Sequence, residues 1–209
     1  MFLLFPGKGV AEQRRNHDGK VLLTQRGEHM RTFPRCWVFP GGDVDEGEAL
    51  TAAARRELQE ETGLEVSSDS LKLLCIWESV FPTSSASCLE MGQVKGHAVT
   101  VFVETLVGQD SVQNVVLQAS ECSAYTWVPL GQLINWHSKD KPPPATLAWI
   151  MLPGWKMSPA ETLEPHKISA IQLQGIYPNL LGEGIGQGHL YALAKLAERE
   201  SQSSSSSTL

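Results

Sequence analysis

Valine occupies every second position at Val99, Val101 and Val103, and this period of two marks His97 to Val107 as a strand. Val21-Leu22-Leu23-Thr24, entered through Gly19-Lys20, reads as a second strand after a turn. Cys36-Trp37-Val38-Phe39 has a buried-strand pattern and is broken by Pro40-Gly41-Gly42. Leu71 to Val80, Tyr125 to Val128 and the alternating Ile168 to Leu173 supply three more strands. Between them the period lengthens. Glu48 to Thr62 is Ala-rich, free of Gly and Pro, and closed by Gly63, so it predicts a helix whose Leu50, Ala53, Ala54 and Leu58 can pack on a sheet. Leu130 to Trp136 can start another helix. His189 to Glu200 is amphipathic through Leu190, Leu193, Ala194 and Ala197. The mixture is α/β or α+β with a strand-loop-helix unit at its centre.

At 209 residues and 42% hydrophobic, the chain suits one domain with a proper core. Residues 1–19 read as an irregular or partial first strand, 20–200 as the domain (core 20–137, extension 138–200), and the Ser-rich 201–209 as a disordered tail. Pro142-Pro143-Pro144 is a rigid spacer inside that extension. The net charge of -6 argues against a broad basic nucleic-acid surface, but a nucleotide is still admissible where a metal supplies local positive charge. Cys36, Cys75, Cys88 and Cys122 show no CxxC spacing, which predicts idle thiols in a reducing compartment rather than zinc ligands or disulfides. No stretch approaches the roughly 20 apolar residues of a membrane span. Met1 to Phe5 is stopped by Pro6-Gly7, so an intracellular, cytoplasmic location is expected.

The candidate chemistry sits on the Ala-rich helix. Glu57, Glu60 and Glu61, spaced by three and four, share a helical face, and Glu57 against Glu61 costs a few tenths of a kcal/mol (~0.2–0.5) even when exposed. A cation removes that cost, and grouped hard oxygen ligands suit Mg²⁺ or Mn²⁺. By itself the cluster equally fits a solvated acidic face, with Arg56 and Glu60 as a surface pair. The surroundings decide otherwise. Gly42, five residues, Glu48, seven residues, Arg56-Glu57-Leu58, one residue, Glu60-Glu61, one residue and Gly63-Leu64 resemble the complete box of the Nudix hydrolases.

That resemblance implies a mixed sheet sandwiched between helices, with the box as loop-helix-loop at its rim. It implies Glu57 and Glu61 as main metal ligands, Glu60 as a third ligand or base, and a backbone carbonyl near Gly42 completing the site. Arg56 would orient the glutamates and Glu48 brace the loop, while Gly42 and Gly63 make tight turns. The implied reaction is metal-assisted attack of water on a diphosphate linkage. Outside the box, Glu121 and Glu104 are candidates for an assisting carboxylate, and Arg26, His97 and Glu121 for substrate contacts. Trp37, Trp77 and Phe81 either stack on a base or fill the core.

The flanks, from Leu22-Leu23-Thr24-x-Arg26 to Trp77-Glu78-Ser79-Val80-Phe81-Pro82 and Glu121-Cys122-Ser123-Ala124-x-x-Trp127, resemble the family branch of NADH diphosphatases and enzymes acting on methylated messenger RNA caps. The implied partner is a nucleotide-type small molecule or a capped RNA end, and family relatives often pair as homodimers. Leu22 to Arg26 with Arg31, Arg35 and Phe39-Pro40-Gly41-Gly42 also resembles coenzyme A diphosphatases, with departures at Gly27 and Arg35. A nucleotide-binding module without catalysis is a third reading, set against an unbroken box. Nudix domains usually open with an apolar strand before the turn at Gly19. Gly9-Val10-Ala11 begins one but Glu12 to Asn16 abandons it, leaving Met1 to Phe5 as the alternative source.

Overall fold

The computed structural model describes residues 2–6, 19–81, 96–107, 114–137, 151–179 and 181–206. In chain order these form β1 (Phe2–Pro6), β2 (Lys20–Arg26), β3 (Trp37–Val38), α1 (Leu50–Thr62), β4 (Lys72–Phe81), β5 (Gly96–Val107), β6 (Cys122–Pro129), α2 (Leu130–His137), β7 (Met151–Met157), β8 (Leu163–Ser169) and α3 (Gln187–Ser206). One sheet has the order β1-β5-β4 and the other β3-β2-β6-β7-β8. β1 runs parallel to β5, whereas the remaining pairs are antiparallel. β1 also lies beside β2. The apolar start of the chain thus forms a strand; Gly9 to Ala11 and Pro142 to Pro144 lie outside the described residues.

The apolar run of β2, buried on both faces, builds the sandwich. Val21 and Leu23 face a core shared with Val128 of β6, Leu133 and Trp136 of α2, and Leu193 and Leu196 of α3. Leu22, on the other face, meets Ala54 and Leu58 of α1 and Tyr125 and Trp127 of β6. Burying each such Val or Leu contributes about 1.5–3 kcal/mol, so helices are held on both faces of the sheet layer. This is the expected mixed α/β architecture.

A bulge in β6 leads the chain toward α1. Gln25 pairs with Ala124 but Arg26 pairs with Cys122, so Ser123 is the extra residue. Cys122 therefore faces the same core as Tyr125 and Trp127. Upstream, Gln118 N donates to Glu61 O at 3.1 Å and Val116 N to Thr62 O at 2.9 Å. These bonds tie residues 116–121 to the end of α1 and set Glu121 beside it.

Another tether runs from α3 to the loop before α1. His189 is 6% exposed, and its Nδ1 accepts a hydrogen bond from Phe39 N at 2.9 Å. Its ring lies 5.0 Å from that of Phe39 and 5.5 Å from that of Phe102. Burial, with Arg26 nearby, pushes its pKa down to about 3 and keeps the imidazole neutral.

Several elements depart from the sequence pattern. α1 starts at Leu50 rather than Glu48, and Leu50 is exposed instead of packed. Strand β8 ends at Ser169; Ala170–Leu173 is a 3-10 turn closed by a Ser169–Gln172 capping box, so Ile168 to Leu173 is no strand of its own. α3 continues through Ser206, past Ser201 where a disordered tail was expected. Extending an existing helix costs little, and Ser201 Oγ donates back to Glu198 O at 2.8 Å. Cys36, Cys75 and Cys122 are free thiols, and burial raises the pKa of each. Cys88 lies outside the described residues. No helix among the described residues is long and apolar enough to cross a membrane.

Candidate functional site

Helix α1 presents its acids along one edge because residues three and four apart share a face. Glu61 is on the inner side, 4% exposed, and its Oε2 accepts a hydrogen bond from Gly41 N at 3.0 Å. Burial raises its pKa to about 8, against the lowering effect of the Gly41 amide; Glu121 and Glu57 add to the rise and Arg26 opposes it. Four groups from three parts of the chain therefore feel one another's charge: Glu57 and Glu61 on α1, Glu121 before the bulge, and Arg26 at the end of β2.

Arg56 organises the outer side. Its Nε and Nη2 bond Glu48 Oε1 and Oε2 at 3.0 and 2.8 Å, a two-pronged pair that holds the Glu48 carboxyl below the usual range. Nη1 donates to Glu57 Oε1 at 2.7 Å and Glu60 Oε2 at 3.3 Å, and Nη2 also reaches Asp43 O at 3.0 Å. Glu48 in turn accepts from Asp45 N at 3.2 Å, so loop and helix are joined through one guanidinium. Glu60 has a side chain 52% exposed and, among the described residues, joins the cluster through Arg56.

The two glycines differ. Gly63 caps α1 at φ 68°, a left-handed conformation that glycine adopts at least cost, and its N–H bonds Gln59 O. Gly42 needs no left-handed turn; a Cβ there would lie 2.5 Å from Glu57 Oε2 and 2.6 Å from Glu57 Cδ. The requirement is space for the carboxylate. Gly42→Ala is expected to push Glu57 aside and lower activity at least about tenfold, with an unchanged melting temperature. Wild-type activity in the variant would show that the Glu57 position is immaterial.

Of the candidates outside the box, Arg26 and Glu121 sit with Glu61. His97 does not: its Nε2 pairs with Glu78 Oε1 at 2.7 Å on the exposed β4–β5 hairpin. Glu104 is held by Arg199 of α3, away from the acids of α1. Trp37 is 1% exposed within the core, Trp77 packs on Tyr191 at 5.3 Å, and the Phe81 side chain lies outside the described residues. No local pattern singles out His189, whose neighbourhood of Phe39 and Phe102 is assembled only in the fold.

Whether these acids suit a divalent cation can be tested on their chemistry. As placed, no three acidic or His/Cys side chains among the described residues converge on one ligand point, because Glu57 holds Arg56 and Glu61 holds the Gly41 amide. The donor set nevertheless fits. A buried carboxyl displaced to about 8 beside two further carboxylates is a region that bound positive charge would stabilise, and the donors are hard oxygens.

A sheet layer between helices, with an acid-bearing loop-helix-loop on its rim, defines the class. The chain belongs to the NUDIX domain family, whose model matches residues 9–150. It is similar to the m7GpppN-mRNA hydrolase NUDT17 of Danio rerio, 40% identical over 128 residues covering 57% of this chain and 40% of that protein. It is also similar to the RNA pyrophosphohydrolase of Sphingopyxis alaskensis, 31% identical over 120 residues, 56% of this chain and 74% of that protein. Among solved structures, a MutT NUDIX hydrolase of Burkholderia pseudomallei matches at 22% identity and a TM-score of 0.44, over 62% of this chain and 81% of that one. The chain spans about two-fifths of the length of the NUDT17 relatives it matches.

Proposed function

We propose that this chain is a Mg²⁺- or Mn²⁺-dependent hydrolase of the diphosphate linkage in a nucleoside-diphosphate derivative, with a methylated messenger RNA cap as the favoured substrate and NAD(H) next. The observation that carries the reading is the shared electrostatic environment of Glu57, Glu61 and Glu121 around a buried carboxyl with a raised pKa. The names of the NUDT17 and RNA pyrophosphohydrolase relatives favour an RNA 5′ end over other anhydrides.

Glu57 and Glu61 would hold the cation, with Glu60 as a further ligand or as base, and Glu121, whose charge acts on Glu61, adds a carboxylate from outside the helix. When bound, the cation screens the diphosphate charge and lowers the pKa of a coordinated water. Arg56 keeps Glu57 and Glu60 pointed, Glu48 keeps Arg56 in place, and Gly41 N–H keeps Glu61 turned inward. A carboxylate takes the proton of the attacking water. Oxygen then bonds to phosphorus, the bridging P–O bond breaks, and the phosphates are divided between the two products, one on each for a diphosphate and one and two for a triphosphate-bridged cap.

The test is the formation of the two phosphorylated products, separated by chromatography, from methylated cap dinucleotide, NADH, coenzyme A and ADP-ribose, each with Mg²⁺, Mn²⁺ or chelator. Metal-dependent cleavage of the cap ahead of coenzyme A is expected. Nucleotide binding without cleavage in either metal would replace the enzyme by a binding module, and cleavage of coenzyme A first would replace the substrate.

A further inference from the structure

Strand β3 ends one sheet, and its outer edge is covered by a segment of the C-terminal extension. Trp37 N donates to Gly184 O at 2.9 Å, and Gly186 N donates to Trp37 O at 3.2 Å. Ile185 between them is fully buried and pairs with Trp37 in parallel. Arg35 holds the buried Glu183 at the head of this segment. Residues 183–189 all lie beyond residue 150, where the family match ends.

Alternate residues of a strand turn their N–H the same way, so the next donor on that edge is Phe39 N. By then the C-terminal segment has turned into α3, and a side chain takes over. His189 Nδ1 accepts from Phe39 N at 2.9 Å, so the last rung of this ladder is an imidazole. The ring is itself seated closely. His189 N bonds Gly186 O at 2.9 Å, and a Cβ at Gly186 would lie 2.9 Å from His189 Cδ2.

The acids of α1 are reached two residues further on. Pro40 has a fixed φ and no N–H, so Phe39 to Gly41 carries two backbone donors joined by a stiff link. Phe39 and Pro40 are buried. One donor goes to His189, and the other, Gly41 N, goes to Glu61 Oε2 at 3.0 Å. Gly42 then lies against Glu57, whose Oε2 would be 2.5 Å from a Cβ there. A buried N–H deprived of its acceptor is costly, so without the imidazole the loop would be released at its anchored end.

We propose that His189 is a positioning residue for the acids of α1: by fixing Phe39 it places the Gly41 amide that turns Glu61 inward, and so sets the affinity of the site for a divalent cation. The C-terminal extension thereby completes a site whose carboxylates, Glu57, Glu60, Glu61 and Glu121, all lie within the family match. Supports behind metal ligands act in this way, by orienting groups that they do not replace. The cation part of the assignment rests on the function proposed above.

The test uses the full chain without nucleotide. Hydrogen exchange of the Gly41 amide is followed by NMR in chelator, and Mn²⁺ affinity is measured by electron paramagnetic resonance. His189→Leu fills the space but accepts no hydrogen bond, and is expected to speed Gly41 exchange and weaken Mn²⁺, each at least about tenfold. His189→Asn, whose Oδ1 stands where Nδ1 did, is expected to restore most of both. The Leu58 amide, in the buried middle of α1, is expected to keep its protection throughout. Should His189→Leu not fold, Gly186→Ala displaces the ring with its new Cβ and is expected to move Gly41 exchange and Mn²⁺ affinity the same way. Unchanged Gly41 exchange in a folded variant overturns the proposal. Equal losses in His189→Leu and His189→Asn, or a parallel loss at Leu58, also overturn it, because packing alone would then explain the effect. If the wild type binds no Mn²⁺ while Gly41 exchange still follows His189, the positioning of the loop stands and the cation reading falls. Metal-dependent cap cleavage with Mn²⁺ affinity unmoved in His189→Leu leaves the hydrolase and removes His189 from its site.

Discussion

Glu61→Gln is expected to lower cap-dinucleotide turnover by about 100-fold or more, while the chelated protein melts within about 2–4 °C of wild type. Both halves follow from its surroundings. Burial, reinforced by Glu121 and Glu57, raises the carboxyl to about 8, so without a cation it is mostly protonated at neutral pH. A neutral amide of the same shape keeps the acceptor for Gly41 N and leaves the fold intact. It cannot carry the negative charge that a divalent ion requires. Undiminished turnover in a folded variant would remove Glu61 from the site. A collapse of stability instead would mean that the ionised form is what holds the Gly41 loop.

Acid is expected to destabilise the protein through His189. Its folded pKa of about 3 lies below the ordinary 6.5, so below pH 6.5 the unfolded chain takes up a proton that the folded one refuses. The stability associated with the neutral ring is full above 6.5 and is lost as the pH falls toward about 3. Each pH unit in that window is worth about 1.4 kcal/mol. Between pH 7 and pH 5 the urea-unfolding free energy of wild type should fall by about 2 kcal/mol more than that of His189→Gln, whose side chain can accept from Phe39 N but does not titrate. Parallel losses in the two proteins would show that His189 is not the buried neutral group described.

What was legible in the sequence depended on regular local patterns. The acids and glycines of the box have fixed spacings, β5 and α1 repeat at two and 3.6 residues because each buries a face, and β2 is a short apolar run because both its faces are buried. β7 gave no such signal: Pro153 and Gly154 interrupt it, and Gly154 is needed because a Cβ there would lie 2.8 Å from Tyr125 O. β8 was blurred for a different reason, since only Ile168 in it is buried and an edge strand need not alternate. The position of Glu121 depends on the extra residue Ser123, which no periodicity announces. His97 was attractive because it opens the strongest strand pattern, but that strand end pairs with Glu78. Arg35 and Glu183 meet only through the tertiary fold, one in a turn and the other in a glycine-rich loop.

The shared core of β2 and the C-terminal elements separates two kinds of unit. Residues 9–150 are the stretch by which the family is recognised. Yet Val21 and Leu23 from that stretch are covered by Leu152, Ile168, Leu193 and Leu196. Ancestry can be read from one part of the chain while burial is completed by another. A boundary drawn by kinship thus passes through the middle of what the hydrophobic effect treats as whole. Changes accumulating after residue 150 would be felt first as loosened support beneath the ancestral strands, before any acid on α1 was touched.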